Sequence, residues 1–144
     1  MNRDNLIVMC GAPGSGKTTL SRNLAKEYNA ILYCYDEIPK TNQLRDLARI
    51  YNETCYKIAN DLKKGNNVVF DTTNVSLSSR KILLEAVRKI KCNKIIYVMT
   101  TSLEECLRRN ENRENRLPPV VVKDLYRLFT APVLQEGWED IICY

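Results

Sequence analysis

The stretch Gly11-Ala12-Pro13-Gly14-Ser15-Gly16-Lys17-Thr18 has the residue types and spacing that suit a phosphate group. Glycines let the backbone turn tightly, so that successive N–H groups converge on one point. The apolar run Leu6-Ile7-Val8-Met9-Cys10 leads in as a buried strand, and Leu20, Leu24 and Tyr28 recur at helical spacing on the way out. A strand, a glycine-rich turn and a helix N-terminus together aim amides and a helix dipole at an anion. In this pattern Lys17 reaches the β- and γ-phosphates and the Thr18 hydroxyl ligates magnesium. Residues Gly11 through Thr18, with Thr19 in the same helical turn, are therefore expected to hold ATP and Mg2+.

Phosphoryl transfer requires positioning, charge neutralisation and a carboxylate that takes the proton of the acceptor hydroxyl. Asp36 ends the apolar run Ala30-Ile31-Leu32-Tyr33-Cys34-Tyr35, which should open onto the same crevice as the loop. It is the candidate general base; capping a turn or helix is its alternative role, and Glu37 ranks behind it. Asp71 follows Val68-Val69-Phe70 and reads either as a magnesium ligand, directly or through water, or as a hydrogen-bonding partner that steadies Asp36, Thr18 or the loop. Thr73 and Asn74 sit in the same turn. Asn74 contacts the acceptor or shapes the turn, since Asn tolerates left-handed backbone. Arg109, Arg113 and Arg116 are spaced i, i+4, i+7, which on a continuous helix puts three guanidinium groups on one face. Over a phosphate site they would neutralise charge; the alternative is a solvated face balanced by Glu111 and Glu114.

The elements that must position these residues are legible from period. Five short apolar runs alternate with helical patterns, and near-continuous apolar strands between helices imply a parallel sheet covered on both faces. Ligands of such a sheet lie at the carboxyl ends of the strands, where the loop, Asp36 and Asp71 all fall. The second helix is expected over 42–62, with Tyr51, Cys55, Ile58, Ala59 and Leu62 inward, and Lys64-Gly65-Asn66 ends it. Ser76 or Ser78 should cap the third, with Ile82, Leu83, Ala86, Val87 and Ile90 as its buried stripe. Ser102 and Glu105 form a capping box for the fourth. That helix loses its apolar stripe at Asn110, so the segment from about 108 to 118 reads as an arginine-bearing lid leaving the core. Val121, Val122, Leu125, Leu128 and Phe129 mark a last helix before a closing strand at 140–144.

The 144 residues fit one domain spanning 1–144, and the net charge is +5. Residues 80–127 hold 12 Lys/Arg against 6 Asp/Glu, whereas the remainder holds 10 against 11, a distribution that suits a polyanionic substrate. Six cysteines show no C-x-x-C pair or zinc spacing, and histidine is absent, so they read as reduced core thiols of a cytoplasmic protein. No apolar run is long enough to span a membrane.

Together these residues resemble the kinase domain of phage and animal polynucleotide 5′-hydroxyl kinases, among the small P-loop kinases that include zeta-toxin-like proteins. The likeness covers nearly the whole chain: the loop Gly11–Thr18, the strand-end Asp36, Asp71-Thr72-Thr73-Asn74, Arg109-Asn110 with Arg113, and the tail from Leu125 to Pro132 followed by Glu136-Gly137-Trp138. The resemblance implies a five-stranded parallel sheet in the order 2-3-1-4-5, ATP on the loop, Asp36 as base toward a 5′-hydroxyl of DNA or RNA, and Arg109 and Arg113 on the γ-phosphate. Phage enzymes carry an arginine shortly after the base; here that place reads Ile38-Pro39-Lys40, leaving Lys40 as a substitute. No Asp-x-Asp-x-Thr/Val sequence occurs, so no phosphatase module is expected. A small-molecule or tRNA-linked kinase of the same architecture is the alternative, and a nucleotide-dependent switch stands behind both. A GTPase is disfavoured because Asn93-Lys94 continues as Ile95-Ile96, without the aspartate that reads guanine.

Overall fold

The computed structural model describes residues 4–34, 44–114 and 116–144. Asp36 and Lys40 lie outside the described residues. The order of elements is β1 (Asp4–Cys10), α1 (Lys17–Glu27), β2 (Ile31–Cys34), α2 (Leu44–Lys63), β3 (Val68–Asp71), α3 (Leu77–Val87), β4 (Cys92–Val98), α4 (Leu103–Glu111), α5 (Pro119–Arg127) and β5 (Asp140–Cys143). The strands form one parallel sheet ordered β2-β3-β1-β4-β5, as the resemblance implies. Parallel neighbours need crossover helices, and these cover both faces.

Alternate residues of β1 supply the two halves of the core. Leu6, Val8 and Cys10 pack with Tyr51, Cys55, Ile58 and Leu62 of α2 and Leu83 and Val87 of α3. Ile7 and Met9 pack with Leu20 and Leu24 of α1 on the other face. The α2 stripe is thus buried as its period requires, and Gly65 at φ +86° lets the chain turn out of that helix. Tyr51 belongs to this core: its ring lies 5.7 Å from that of Phe70, and its hydroxyl bonds Asn74 and the Ser79 carbonyl. Ser76 caps α3 by accepting the Ser79 N–H.

Three expectations are corrected. On α3 the buried residues are Arg80, Leu83, Leu84 and Val87, while Ile82 is 39% exposed, because a charged side chain takes an inward position. Asn110 does not mark a departure from the core. It is buried, and its amide donates to the Leu117 carbonyl at 2.8 Å and accepts the Leu117 N–H at 3.1 Å. That pair turns the chain back, so α4 ends at Glu111 with Asn112 as its C-cap, and Arg113 and Arg116 lie beyond the helix that carries Arg109. The last helix stops at Arg127 and buries only Val122, which joins Ala12 and Cys106 against α4; Leu128 and Phe129 remain exposed. Pro119 occupies the first turn of α5, where its fixed φ and missing donor carry no penalty.

Arg80 is wholly buried, and each of its three guanidinium nitrogens finds an acceptor. Its Nε and Nη2 donate to the two carboxylate oxygens of Glu136 at 2.8 and 3.3 Å, and Nη1 donates to the carbonyls of Asn74 and Val75 at 3.0 and 3.1 Å. Glu136 also accepts from the Trp138 indole and the Val133 N–H. One ion pair thereby joins the turn after β3 to the segment that leads into β5. All six cysteines are free thiols; five are buried and Cys143 is exposed. Burial pushes Cys10 up to about 11 and Cys55 up to about 12, which keeps both protonated. Among the described residues no helix is long and apolar enough to cross a membrane.

Removing one partner of a buried pair leaves the other charge uncompensated, so Glu136→Ala should lower unfolding free energy by about 3–5 kcal/mol in a urea titration. Burial alone would raise the pKa of Glu136, but the hydrogen bonds from Arg80, Trp138 and Val133 hold it below its ordinary value. The folded chain therefore releases this proton more readily than the unfolded chain. The contribution is complete above an ordinary glutamate value of about 4.3 and fades as pH falls through the lower native one. Urea midpoints measured down the acid limb should fall less steeply for Glu136→Gln than for the unaltered chain.

Candidate active site

The phosphate loop is braced both by neighbouring segments and by its own backbone. Gly11 N–H donates to the Thr73 carbonyl at 2.9 Å, and the Thr101 hydroxyl donates to the Ser15 carbonyl at 2.8 Å. Within the loop, Ser15 N–H and the Lys17 ammonium both reach the Ala12 carbonyl, at 3.2 and 3.1 Å. Gly14 has φ +84°, and a Cβ there would stand 2.5 Å from the backbone carbonyl oxygen of Cys106 in α4. Gly16, at φ +96°, is the N-cap of α1; no side chain caps this helix and its first turn holds no acidic residue. A helix N-terminus of this kind leaves backbone donors and a positive dipole end facing the loop's hollow. Ser15 is buried, and its Oγ has no hydrogen-bond partner. These features fit a bound polyphosphate, with Gly14 to Thr19 as its cradle.

Asp71 lies beneath the first turns of α1. The Ser21 hydroxyl stands 3.1 Å from Asp71 Oδ2 and 3.0 Å from the Thr18 carbonyl, and the Cys34 thiol is 3.5 Å from the same carboxylate oxygen. The carboxylate and Thr18 are thus joined through one hydroxyl, an arrangement compatible with either role read for Asp71. Among the described residues no three His, Cys, Asp or Glu side chains gather as a metal cage. A magnesium site built from one hydroxyl and one carboxylate, completed by phosphate oxygens and water, is the common alternative.

Arg109 projects from α4 to the loop. Its Nη1 is 3.4 Å from the Gly14 carbonyl, and its Nε donates to Glu105 at 3.0 Å. Arg108 binds the same carboxylate, and these hydrogen bonds push Glu105 down to about 2. Only half of the expected capping box forms: Ser102 accepts the Glu105 N–H at 3.2 Å, while the Glu105 carboxylate holds the two arginines. A cleft of about 810 Å³ is bordered by the loop, Thr18, Thr19, Arg109, Arg113 and Tyr144. Arg116 instead borders a separate hollow beside Pro118 and Pro119. A cavity of about 890 Å³ between α2 and α3 is lined by none of the loop residues and by none of Arg109, Arg113 and Arg116.

Thr73 is half-buried and its carbonyl steadies Gly11. Asn74 has φ +45° and is buried, with its amide bonded to the Tyr51 hydroxyl and the Met9 carbonyl. Of its two sequence-based roles, turn shaping is the one these contacts describe. Ser21, Thr101 and Arg80 are supporting residues that sequence reasoning did not place, and Glu105, read there as a cap alone, also holds the arginines. Only Glu105 had a legible signal, its i+3 and i+4 spacing to Arg108 and Arg109.

A parallel 2-3-1-4-5 sheet whose first strand feeds a phosphate loop is the P-loop kinase fold. Residues 6–132 match the AAA domain family, and the chain belongs to it. An L-seryl-tRNA(Sec) kinase from Methanococcus maripaludis is 26% identical over 143 residues, covering 93% of this chain and 56% of that protein. The bifunctional polynucleotide phosphatase/kinase of Schizosaccharomyces pombe is 27% identical over 143 residues, covering 94% of this chain and 32% of that protein. The chain thus spans roughly half of one relative and a third of the other. Among solved structures, a sugar kinase from a Janibacter species superposes with a TM-score of 0.77 at 17% identity, covering 98% of this chain and 84% of that one, a likeness of fold.

Alanine at position 14 would need both a left-handed backbone and a displaced α4 carbonyl. Gly14→Ala should therefore lower stability by at least about 1–3 kcal/mol and weaken nucleotide binding. Thermal unfolding and titration with a fluorescent ATP analogue would measure the two effects.

Proposed function

We propose that the chain is an ATP- and Mg2+-dependent kinase that moves the γ-phosphoryl group to the 5′-hydroxyl of DNA or RNA ends. The single observation carrying this reading is Arg109, braced by Glu105 against the loop at Gly14, beside an uncapped helix N-terminus. Cationic and dipolar groups fixed where negative charge develops do most of the work of phosphoryl transfer. Lys17 and the α1 amides would bind the β- and γ-phosphates, and Arg109 with Arg113 would steady the transferring group. Thr18 and Asp71 would hold magnesium, which supplies charge neutralisation on the phosphate oxygens.

On this reading the Asp36 carboxylate accepts the proton of the acceptor hydroxyl. The hydroxyl oxygen then forms a bond to the γ-phosphorus as the bond to the β–γ bridging oxygen breaks, and ADP leaves. Lys40 and Thr73 would border the acceptor. The nucleic-acid acceptor draws support from the polynucleotide kinase relative, from the tail at 125–138 and from the basic excess over 80–127. The match to an L-seryl-tRNA(Sec) kinase over 93% of the chain favours a second reading, a hydroxyl carried on a tRNA.

Incubation with γ-labelled ATP and separate acceptors tests both. Label on 5′-hydroxyl DNA or RNA supports the first reading, label confined to tRNA supports the second, and label confined to nucleoside monophosphates overturns both. Lys17→Ala should abolish transfer. Asp36→Asn should retain ATP binding while transfer falls by about 10²–10⁴, the usual weight of a general base; near-normal transfer would place the base elsewhere.

A further inference from the structure

A second, smaller cavity of about 270 Å³ meets the start of the phosphate loop. Its floor is Gly11, Ala12 and Ser15, its rear is the end of β4, and its outer wall is Tyr126 and Phe129. Tyr126 lies in the last turn of α5 and Phe129 just beyond it, and both rings are part-exposed, at 38% and 40%. The wall is anchored: Phe129 N–H reaches the Tyr126 carbonyl, and Thr130 N–H donates to Val75 at 2.8 Å in the turn that also carries Asp71 and Thr73.

The two openings adjoin along a shared wall of Ser15, Met99, Thr100 and Thr101 and continue from it over different parts of the loop. The donor cleft is bordered by Thr18 and Asn23 of α1, whose face contains Ile7, Met9, Leu20 and Leu24. The smaller cavity instead borders the start of the loop, Gly11 and Ala12, with Tyr126 and Phe129 as its outer wall. Ser15, on that shared wall, is the residue whose buried hydroxyl has no partner. In-line displacement requires the attacking oxygen to approach the phosphorus opposite the leaving oxygen. A donor seated along the end of the loop and α1 therefore calls for an acceptor approaching from the start of the loop, where this cavity opens.

We propose that the Tyr126–Phe129 pocket receives the base of the acceptor's 5′-terminal nucleotide, an assignment that rests on the reading of the chain as a polynucleotide kinase. At a third of the volume of the donor cleft, the pocket suits a single ring system and not a whole nucleotide. Its aromatic wall offers stacking, which every base accepts, so base identity should matter little and the presence of a base should matter much.

The test compares two 5′-hydroxyl oligonucleotides that differ only at the terminal nucleoside, one bearing adenine and one abasic. For the unaltered chain, kcat/KM should favour the base-bearing acceptor by about tenfold to a hundredfold, the span that stacking on one aromatic side chain usually gives. In Phe129→Leu and Tyr126→Leu the ratio should move toward one. Because each variant is scored against itself, a general loss of folding or ATP binding cancels. A ratio near one for the unaltered chain, or an undiminished ratio in both variants, overturns the pocket assignment and leaves the kinase reading standing. Failure of the unaltered chain to phosphorylate either oligonucleotide overturns the kinase reading, and the pocket assignment with it.

Discussion

A phosphate loop has to keep backbone donors pointed into its own hollow, although such groups ordinarily find partners within the protein. The constraint is met here by bracing every other side of the loop. Thr73 takes the Gly11 amide, Thr101 takes the Ser15 carbonyl, and α4 packs so closely on Gly14 that no side chain fits between them. The first turn of α1 carries neither a cap nor a carboxylate that would compete for the same site. The rest of the fold can be understood as the scaffold that makes this arrangement rigid.

The Arg80–Glu136 pair extends that scaffold to the far side of the sheet. Its guanidinium binds the Asn74 and Val75 carbonyls, and the left-handed Asn74 is fixed in turn by Tyr51 and Met9. The turn carrying Asp71 and Thr73 is consequently set by contacts from α2, α3, β1 and the segment before β5. A charge placed in the core is costly, and a paired carboxylate with two further carbonyl acceptors offsets that cost here.

Most of the architecture was legible because parallel strands covered on both faces read as unbroken apolar runs, and helices between them keep a 3.6 period. The loop was legible because its spacing encodes its geometry. What escaped were polar residues at inward positions. Arg80 and Asn110 look like surface residues in a linear pattern, yet each is buried by partners remote in sequence, Glu136 and Leu117. Taken as a surface residue, Asn110 implies an α4 that continues through Arg113 and Arg116, whereas its own amide is what turns the chain away. Asp36 and Lys40 rest on sequence pattern and resemblance, since they fall outside the described residues.

The distribution of thiols has a practical corollary. Five sulfurs are sealed inside the core, and the burial that raises Cys10 and Cys55 also denies reagents the thiolate they attack. Cys143 alone faces solvent, at the end of the edge strand β5 and next to Tyr144 on the rim of the donor cleft. A maleimide dye would consequently attach at one place in the native chain, without any engineered background, and would sit where a seated nucleotide changes its surroundings.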